Sequence, residues 1–570
     1  MEQVRFITAI VICFFLYLAW AYFFSPPPVP PPASKTAKMA QNAAGGAKAE
    51  PGGATAASGA PAAGTGTTAL ASAAAATPAT AAPLAALPAP GRLITVETPL
   101  YTARFSSRGG TVTDFTLKKY RESTHPHSPA KEMIHLPEGD MTLGTSFTDG
   151  SVPELSTAMF TTDARDRVDV AGKPADVVFS WTSAKGLSVE KRYTFDPATY
   201  AFNLAVTVRN RSALPLTDCL ALEIRSLQAA NPSRYGFEGP EALVKEKLTE
   251  GKAAKLKKNG ALTETGVIHW AGVTDRYFLC AVAPQSPQEA SAVFSAQAMD
   301  KEDLVSVRYV NPRATIPPGA ERTYGLRVFM GPKSMDALKA AGGRFQRALS
   351  FGMWAVIAKP LLLAMDAMYR VIPNYGLAIM LLTFIIKLIF WPLSAKSYKS
   401  MSAMKKLQPL MQEIRERYKD DKKRMNEEVF ALYRTYKVNP MSGCLPILLQ
   451  IPVFFALWRM LYGAIELRHA AFWGWINDLS EPDRLMPSLH VPFVEPSGIP
   501  ILTLVMGVTM FIQQKMSPPP GDPTQARMMM ALPIVFTFIF INLPSGLVLY
   551  WLVNNILSIA QQSYIQKKYK

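Results

Sequence analysis

The sequence predicts an α-helical polytopic membrane protein of six transmembrane helices, with a large all-β sandwich domain on the far side of the membrane and a helical hairpin on the cytoplasmic side. Three observations carry this prediction. Apolar residues make up 49% of the 570 and charged residues only 18%, and the apolar ones gather into long runs. Residues 91–340 instead alternate with period 2 between turn residues such as Arg108–Gly110, which is the signature of strands. Residues 393–440 are strongly basic, with apolar side chains at three- and four-residue steps, as amphipathic helices require.

Taken in order, residues 1–24 form an N-terminal anchor, because Phe6 to Phe24 is long enough to span and ends in bulky aromatics rather than the small residues of a cleavage site. Arg5 on its short side puts the N-terminus in the cytoplasm. Residues 25–90 are Pro, Ala and Gly rich, cannot bury enough surface to fold, and read as a disordered linker. The 91–340 sandwich is large enough to hold its own core. Its histidines His125, His127 and His135 occupy one loop without acidic or cysteine partners, so a surface loop is favoured over a metal site. Cys219 and Cys280 both fall in strand-like segments of the exported domain, where a disulfide is chemically possible but not fixed by sequence.

Residues 341–373 suit an interfacial amphipathic helix, since Lys359, Asp366 and Arg370 interrupt the apolar stretch. Residues 374–392 are transmembrane helix 2 and carry Lys387, with Thr383 one turn before it on the same face. An ammonium at the bilayer centre costs about 2.5–3.5 kcal/mol on insertion scales. Lys387 therefore either snorkels to the nearby interface or faces a wet cavity, and Thr383 favours the cavity. Residues 393–440 form the cytoplasmic hairpin, two helices joined at Asp420 with Pro409 expected to bend the first. Residues 441–570 supply transmembrane helices 3–6 (Cys444 to Gly463, Ile499 to Met516, Met528 to Leu543, Ser545 to about Ala560) and a basic tail. Basic residues cluster on one side of these spans, which places both termini in the cytoplasm. Arg459 is expected to snorkel outward from the third span.

The formal charge of +17 points to anionic partners, lipid headgroups or nucleic acid. Inside the spans the polar residues are Thr383, Lys387, Gln450, Tyr550, Trp551, Asn554 and Asn555, the last four forming i, i+4 pairs. Any one of them could be glue between helices, but together they converge on a polar cavity without an acid. No carboxylate or histidine lies within a span to couple protons, and no protease set appears, which argues against an enzyme and against a coupled transporter. A channel or transporter built on the same cavity is the alternative, and an anchored sugar-binding or scaffold protein a third reading.

Five segments, TFIIKLIFWPLSAKSY, ALYRTYKVNPMSGCLPILLQIPVFFALW, AIELRHAAFWGWINDLS, MGVTMFIQQKMSP and LPSGLVLYWLVNNILSIAQQ, resemble in this order the YidC/Oxa/Alb family of membrane protein insertases. The sandwich ahead of them, with FSSRGGTV, resembles the periplasmic domain of the Gram-negative form. The resemblance implies an inner-membrane location and a hydrophilic groove open to cytoplasm and lipid. Such a groove receives nascent membrane proteins and releases them sideways, alone or with the Sec translocon. It implies groove positions at Lys387, Gln450 and Trp551, and the family commonly has arginine at the first. Lysine keeps the charge but not the five-donor fork. The implied partners are nascent membrane proteins, the ribosome at the hairpin and C-terminal tail, Sec components and anionic lipids, with no DNA, no cofactor and no metal.

Overall fold

A computed structural model describes residues 91–568 apart from 138, 231–235, 439–444, 490–493, 495 and 518–522. The expected anchor at 1–24 and linker at 25–90 therefore lie outside the described residues.

The alternation read from the sequence becomes the inside and outside of two packed sheets. A twelve-stranded sheet and a five-stranded sheet account for most of the strands between Leu93 and Pro332. Pairing is antiparallel throughout except where Leu93–Glu97 runs parallel to Arg167–Asp169. In Leu187–Phe195 and Ala201–Asn210 every second residue is buried, as a one-faced strand demands. Phe278–Pro284 is buried at every position, being covered on both faces, and holds Cys280. Cys280 and the half-buried Cys219 are unpaired thiols, so the possible disulfide is not formed. Between the sheets Phe105 packs 4.8 Å from Tyr193 and 5.4 Å from Phe195, centroid to centroid.

The turn after Phe105 shows how the sheets are held in register. Gly109 and Gly110 take φ of 68° and 54°, a conformation that side chains resist. Their carbonyls accept from the fully buried Lys191 ammonium of the large sheet, at 2.6 and 3.4 Å. The Gly110 carbonyl also accepts from Tyr193 Oη at 2.7 Å. A lysine with no acid beside it is thus satisfied by backbone carbonyls, those of the turn and that of Leu143 at 3.4 Å.

Helices begin with a short piece in the sandwich, α1 (Ala253–Asn259), and then α2 (Met335–Ala341), N-capped by Ser334. The interfacial segment is narrower than the sequence suggests. Gly342, Gly343 and Gly352, all at positive φ, break it into two single turns, and regular helix runs only over α3 (Ala355–Val371).

α4 (Tyr375–Ile389) starts at an Asn374 cap that accepts from the Leu377 amide at 3.1 Å. It stops at Phe390, where Pro392 opens α5 (Trp391–Lys406) and the axis turns by 66°. Pro409 does not bend a helix as expected. The break falls at Leu407, and Pro409 sits in the first turn of a new helix, α6 (Gln408–Arg417), where its missing N–H costs nothing. Asp421 caps α7 (Lys422–Thr435) by accepting from the Lys423 and Arg424 amides at 3.1 and 3.0 Å. α6 packs against α7, and Tyr433 Oη lies 3.5 Å from Met411 Sδ.

Four helices follow: α8 (Leu445–Gly463), α9 (Ile501–Met516), α10 (Pro523–Phe540) and α11 (Ser545–Lys568). α11 packs against α4, α5, α8 and α9 and is the axis of this half. Among the described residues no single helix is long and apolar enough to cross a membrane, whereas α4 and α5 together are, across their bend. At about 1.5 Å per residue a 15-residue helix covers only about 22 Å of a hydrocarbon core about 30 Å thick.

Candidate functional site

α11 carries its polar residues on more than one face, because its neighbours surround it. Tyr550, Asn554 and Ser558 follow one another at four-residue steps, and Trp551 and Asn555 are each one position on. All except the half-buried Trp551 are buried. The first row meets α4 and α8. Lys387 Nζ donates to Ser558 Oγ at 2.7 Å, and Ser558 Oγ donates to the Asn554 carbonyl at 2.6 Å. Gln450 on α8 donates through Nε2 to Tyr550 Oη at 3.4 Å.

The remaining residues expected at the site point elsewhere. Asn555 donates through Nδ2 to Thr509 Oγ1 on α9 at 3.2 Å. The Trp551 ring stands edge-on to Phe454 at 4.8 Å and lies 5.3 Å from Phe540, so it faces an aromatic wall made by α8 and α10. Its indole N–H is buried without a hydrogen-bond partner among the described residues. Thr383 shares the helix face of Lys387 but spends its hydroxyl on its own backbone, donating to the Ile379 carbonyl at 2.6 Å. The structure thus joins Lys387 to α11 and Gln450 to Tyr550, and it separates Thr383, Trp551 and Asn555 from that cluster.

Two partners were missed in the sequence, Ser558 and Thr509. Ser558 had a signal, since it continues the four-residue row begun by Tyr550 and Asn554. Thr509 had none, because its pairing depends on where α9 packs.

The ends of these helices nearer the sandwich are tied by the loop after α8. Asp483 accepts from the Leu502 amide at 2.7 Å and from Thr503 Oγ1 at 2.9 Å, satisfying the N-terminus of α9. Its neighbour Arg484 donates to the Ile541 carbonyl at 2.9 Å and to Asn542 Oδ1 at 3.0 Å, just past the C-terminus of α10. A carboxylate meets the positive end of one helix and a guanidinium the negative end of the next. Arg459, expected to snorkel outward, lies at the sandwich side of α8. It lines a cavity of about 80 Å³ between α8 and the sandwich, together with Arg276, Glu241 and Lys333. Burial there pushes the Glu241 carboxyl above its usual value and holds Lys333 below its own. Among the described residues no group of three or more His, Cys, Asp or Glu side chains converges to hold a metal ion.

Comparison with known proteins matches both halves of the chain. The family described as 60Kd inner membrane protein matches residues 367–570, and that described as YidC periplasmic domain matches residues 93–364. The membrane protein insertase YidC of Syntrophus aciditrophicus is 42% identical over 481 residues, covering 83% of this chain and 85% of that protein. The chain belongs to the YidC family of membrane protein insertases. The YidC of Pelobacter propionicus is similar at 44% identity over 479 residues, 83% of this chain and 86% of its own. A crystal structure of an active YidC insertase with its first transmembrane domain resolved is similar over 82% of this chain and 92% of its own. The identity there is 18% and the TM-score 0.35.

Proposed function

We propose that this YidC-family chain inserts nascent inner-membrane proteins by receiving them in a hydrophilic groove around Lys387, Gln450, Tyr550 and Asn554, open to the cytoplasm and to lipid. Thr383, Trp551 and Asn555 belong to its walls. In this reading six spans place both termini in the cytoplasm, and the sandwich lies in the periplasm. Five of the six are the 374–392 span, which holds α4, and α8 to α11, and the first lies outside the described residues. The client's polar outer tail enters the groove and its apolar stretch slides sideways into lipid. Transfer of apolar residues out of water drives the step. The basic α5–α7 region and the basic C-terminal tail, with Lys567, Lys568 and Lys570, suit a ribosome and anionic lipid. Sec components are partners for clients with larger exported parts.

The single observation that supports this best is the state of Lys387. Its described side-chain partner is a neutral hydroxyl, so the cation keeps its attraction for an acidic tail. Site-specific crosslinking tests the reading: a stalled nascent membrane protein should crosslink to photoreactive groups at Gln450 and Tyr550, and not to groups on the lipid-facing side of α10 such as Phe538. Equal crosslinking at both places would remove the groove from the account.

A further inference from the structure

We propose that Ser558 is a positioning residue, which holds the Lys387 ammonium inside the helix cluster without neutralising it and so keeps it available to a carboxylate of the incoming chain. The inference rests on the groove reading above and adds to it the residue that decides where the charge stands.

The hydrogen-bond directions carry the argument. Ser558 Oγ gives its only hydrogen to the Asn554 carbonyl at 2.6 Å, the back-bond a serine makes one turn down its own helix. Its lone pairs are then free only to accept, and Lys387 Nζ donates to them at 2.7 Å. The serine is itself 1% exposed, so the contact is held in place by packing between α4 and α11 and not by a mobile surface group. An ammonium has three N–H donors, and a single hydroxyl occupies one. A carboxylate at position 558 would fix the ammonium equally well but cancel its charge, and a client's acidic residue would then have to break an ion pair.

With the Ser558 hydroxyl gone, the four-carbon stem has an easy alternative. Lys387 lies three residues before the break at Phe390, so the head can swing past the end of α4 toward the polar α5 region, where a long cation snorkels readily. Ser558 therefore selects between the two positions open to this side chain. A point-like ammonium suits a single acceptor, whereas a planar guanidinium asks for several.

The test uses the full-length protein at matched levels in the membrane, with Ser558→Ala, Ser558→Asp, Ser558→Thr and Lys387→Leu. Each is assayed for insertion of two clients that differ only in whether the translocated tail carries acidic residues. Ser558→Ala should lower insertion of the acidic-tailed client roughly 10- to 100-fold, the order expected for losing one hydrogen bond to a charge. The uncharged-tailed client should stay within about twofold of the parent, since it makes no demand on the cation. Ser558→Asp should be at least as severe for the acidic client, and Ser558→Thr should restore it. A fall of both clients together in the alanine and aspartate variants would mean a merely structural serine and overturn the proposal. So would normal insertion of the acidic client by both variants when Lys387→Leu is impaired. Normal insertion by Lys387→Leu would instead bring down the groove reading beneath it. Should Ser558→Asp fail to accumulate, Ser558→Ala against Ser558→Thr decides alone.

Discussion

Arg276, on a turn of the sandwich, donates through Nε to the carbonyl of Tyr462 at the end of α8 at 2.9 Å, and its guanidinium lies 3.9 Å from the centroid of the Tyr462 ring. The same guanidinium donates to the Ser480 carbonyl at 3.1 Å. A second arginine reaches the other way: Arg468, from the loop after α8, donates to the Glu122 carbonyl at 3.0 Å and lies 5.4 Å from the Phe278 ring. Two charged hydrogen-bonding groups, one from each side, thus fasten the sandwich to the loop that ties the helix ends. Arg276→Ala should cost about 1.5–3 kcal/mol of that interface. Hydrogen exchange in residues 464–485 and in the Arg276 turn should speed up together. Insertion should remain measurable in this variant, and also after deletion of about Arg92 to Ala340, because the sandwich holds none of the groove residues. Complete loss of insertion in a stably folded deletion would contradict this.

At Lys387 the charge and the shape can be separated by substitution. Lys387→Arg should keep function, since the charge persists and the family commonly uses arginine there. Lys387→Leu should accumulate normally yet insert acidic-tailed clients poorly, and Lys387→Glu should be worst because it sets like charge against such tails. Leucine and glutamate variants that insert acidic tails as the parent does would leave only a snorkelling lysine.

In the sandwich, the buried ammonium of Lys191 predicts a pH dependence of unusual sign. Burial with no acid beside it lowers Lys191 from 10.5 to about 7. Between those values the unfolded chain binds the proton and the folded one does not, so stability rises with pH across this window. Below pH 7 both states are charged, and the burial cost is felt in full. The gain from pH 7 to pH 9.5 is up to about 3 kcal/mol, at about 1.4 kcal/mol per pH unit. Lys191→Met should flatten the rise. Denaturant unfolding of the sandwich in the full chain, followed by pulse labelling of the buried Cys280 as sole cysteine, reads the effect. A Lys191→Met variant with the parent's pH dependence would show that the lysine does not titrate there.

The hairpin's charge predicts a salt dependence. Binding of ribosome-nascent-chain complexes should weaken as ionic strength rises, because screening acts over about 8–10 Å at physiological salt. Removal of Lys405 to Tyr436 should abolish the salt-sensitive part. Salt-independent binding, or insertion unchanged by the deletion, would take the hairpin out of ribosome contact.

The sequence by itself determined the division of the chain. The change from period-2 alternation to apolar runs marks the sandwich and the helices, since side-chain periodicity is a local property that each strand or helix imposes on its own residues. It also determined the family, through long motifs around Lys387, Gln450 and Tyr550, and it singled out Lys387 as the charge needing an explanation. Prolines were legible as breaks but not as to kind: whether Pro409 bends a helix or starts one depends on which neighbouring turn the packing keeps. Only the tertiary structure decided which polar residues meet. Thr383 shares a helix face with Lys387 yet bonds to its own backbone, while Ser558, 171 positions away, takes the ammonium. Trp551 and Tyr550 are adjacent in the chain and face different helices, one an aromatic wall and the other an amide. Such pairings depend on the rotation and depth at which α4, α8, α9 and α10 dock around α11. Those are fixed by close packing summed over many side chains, which no single spacing records.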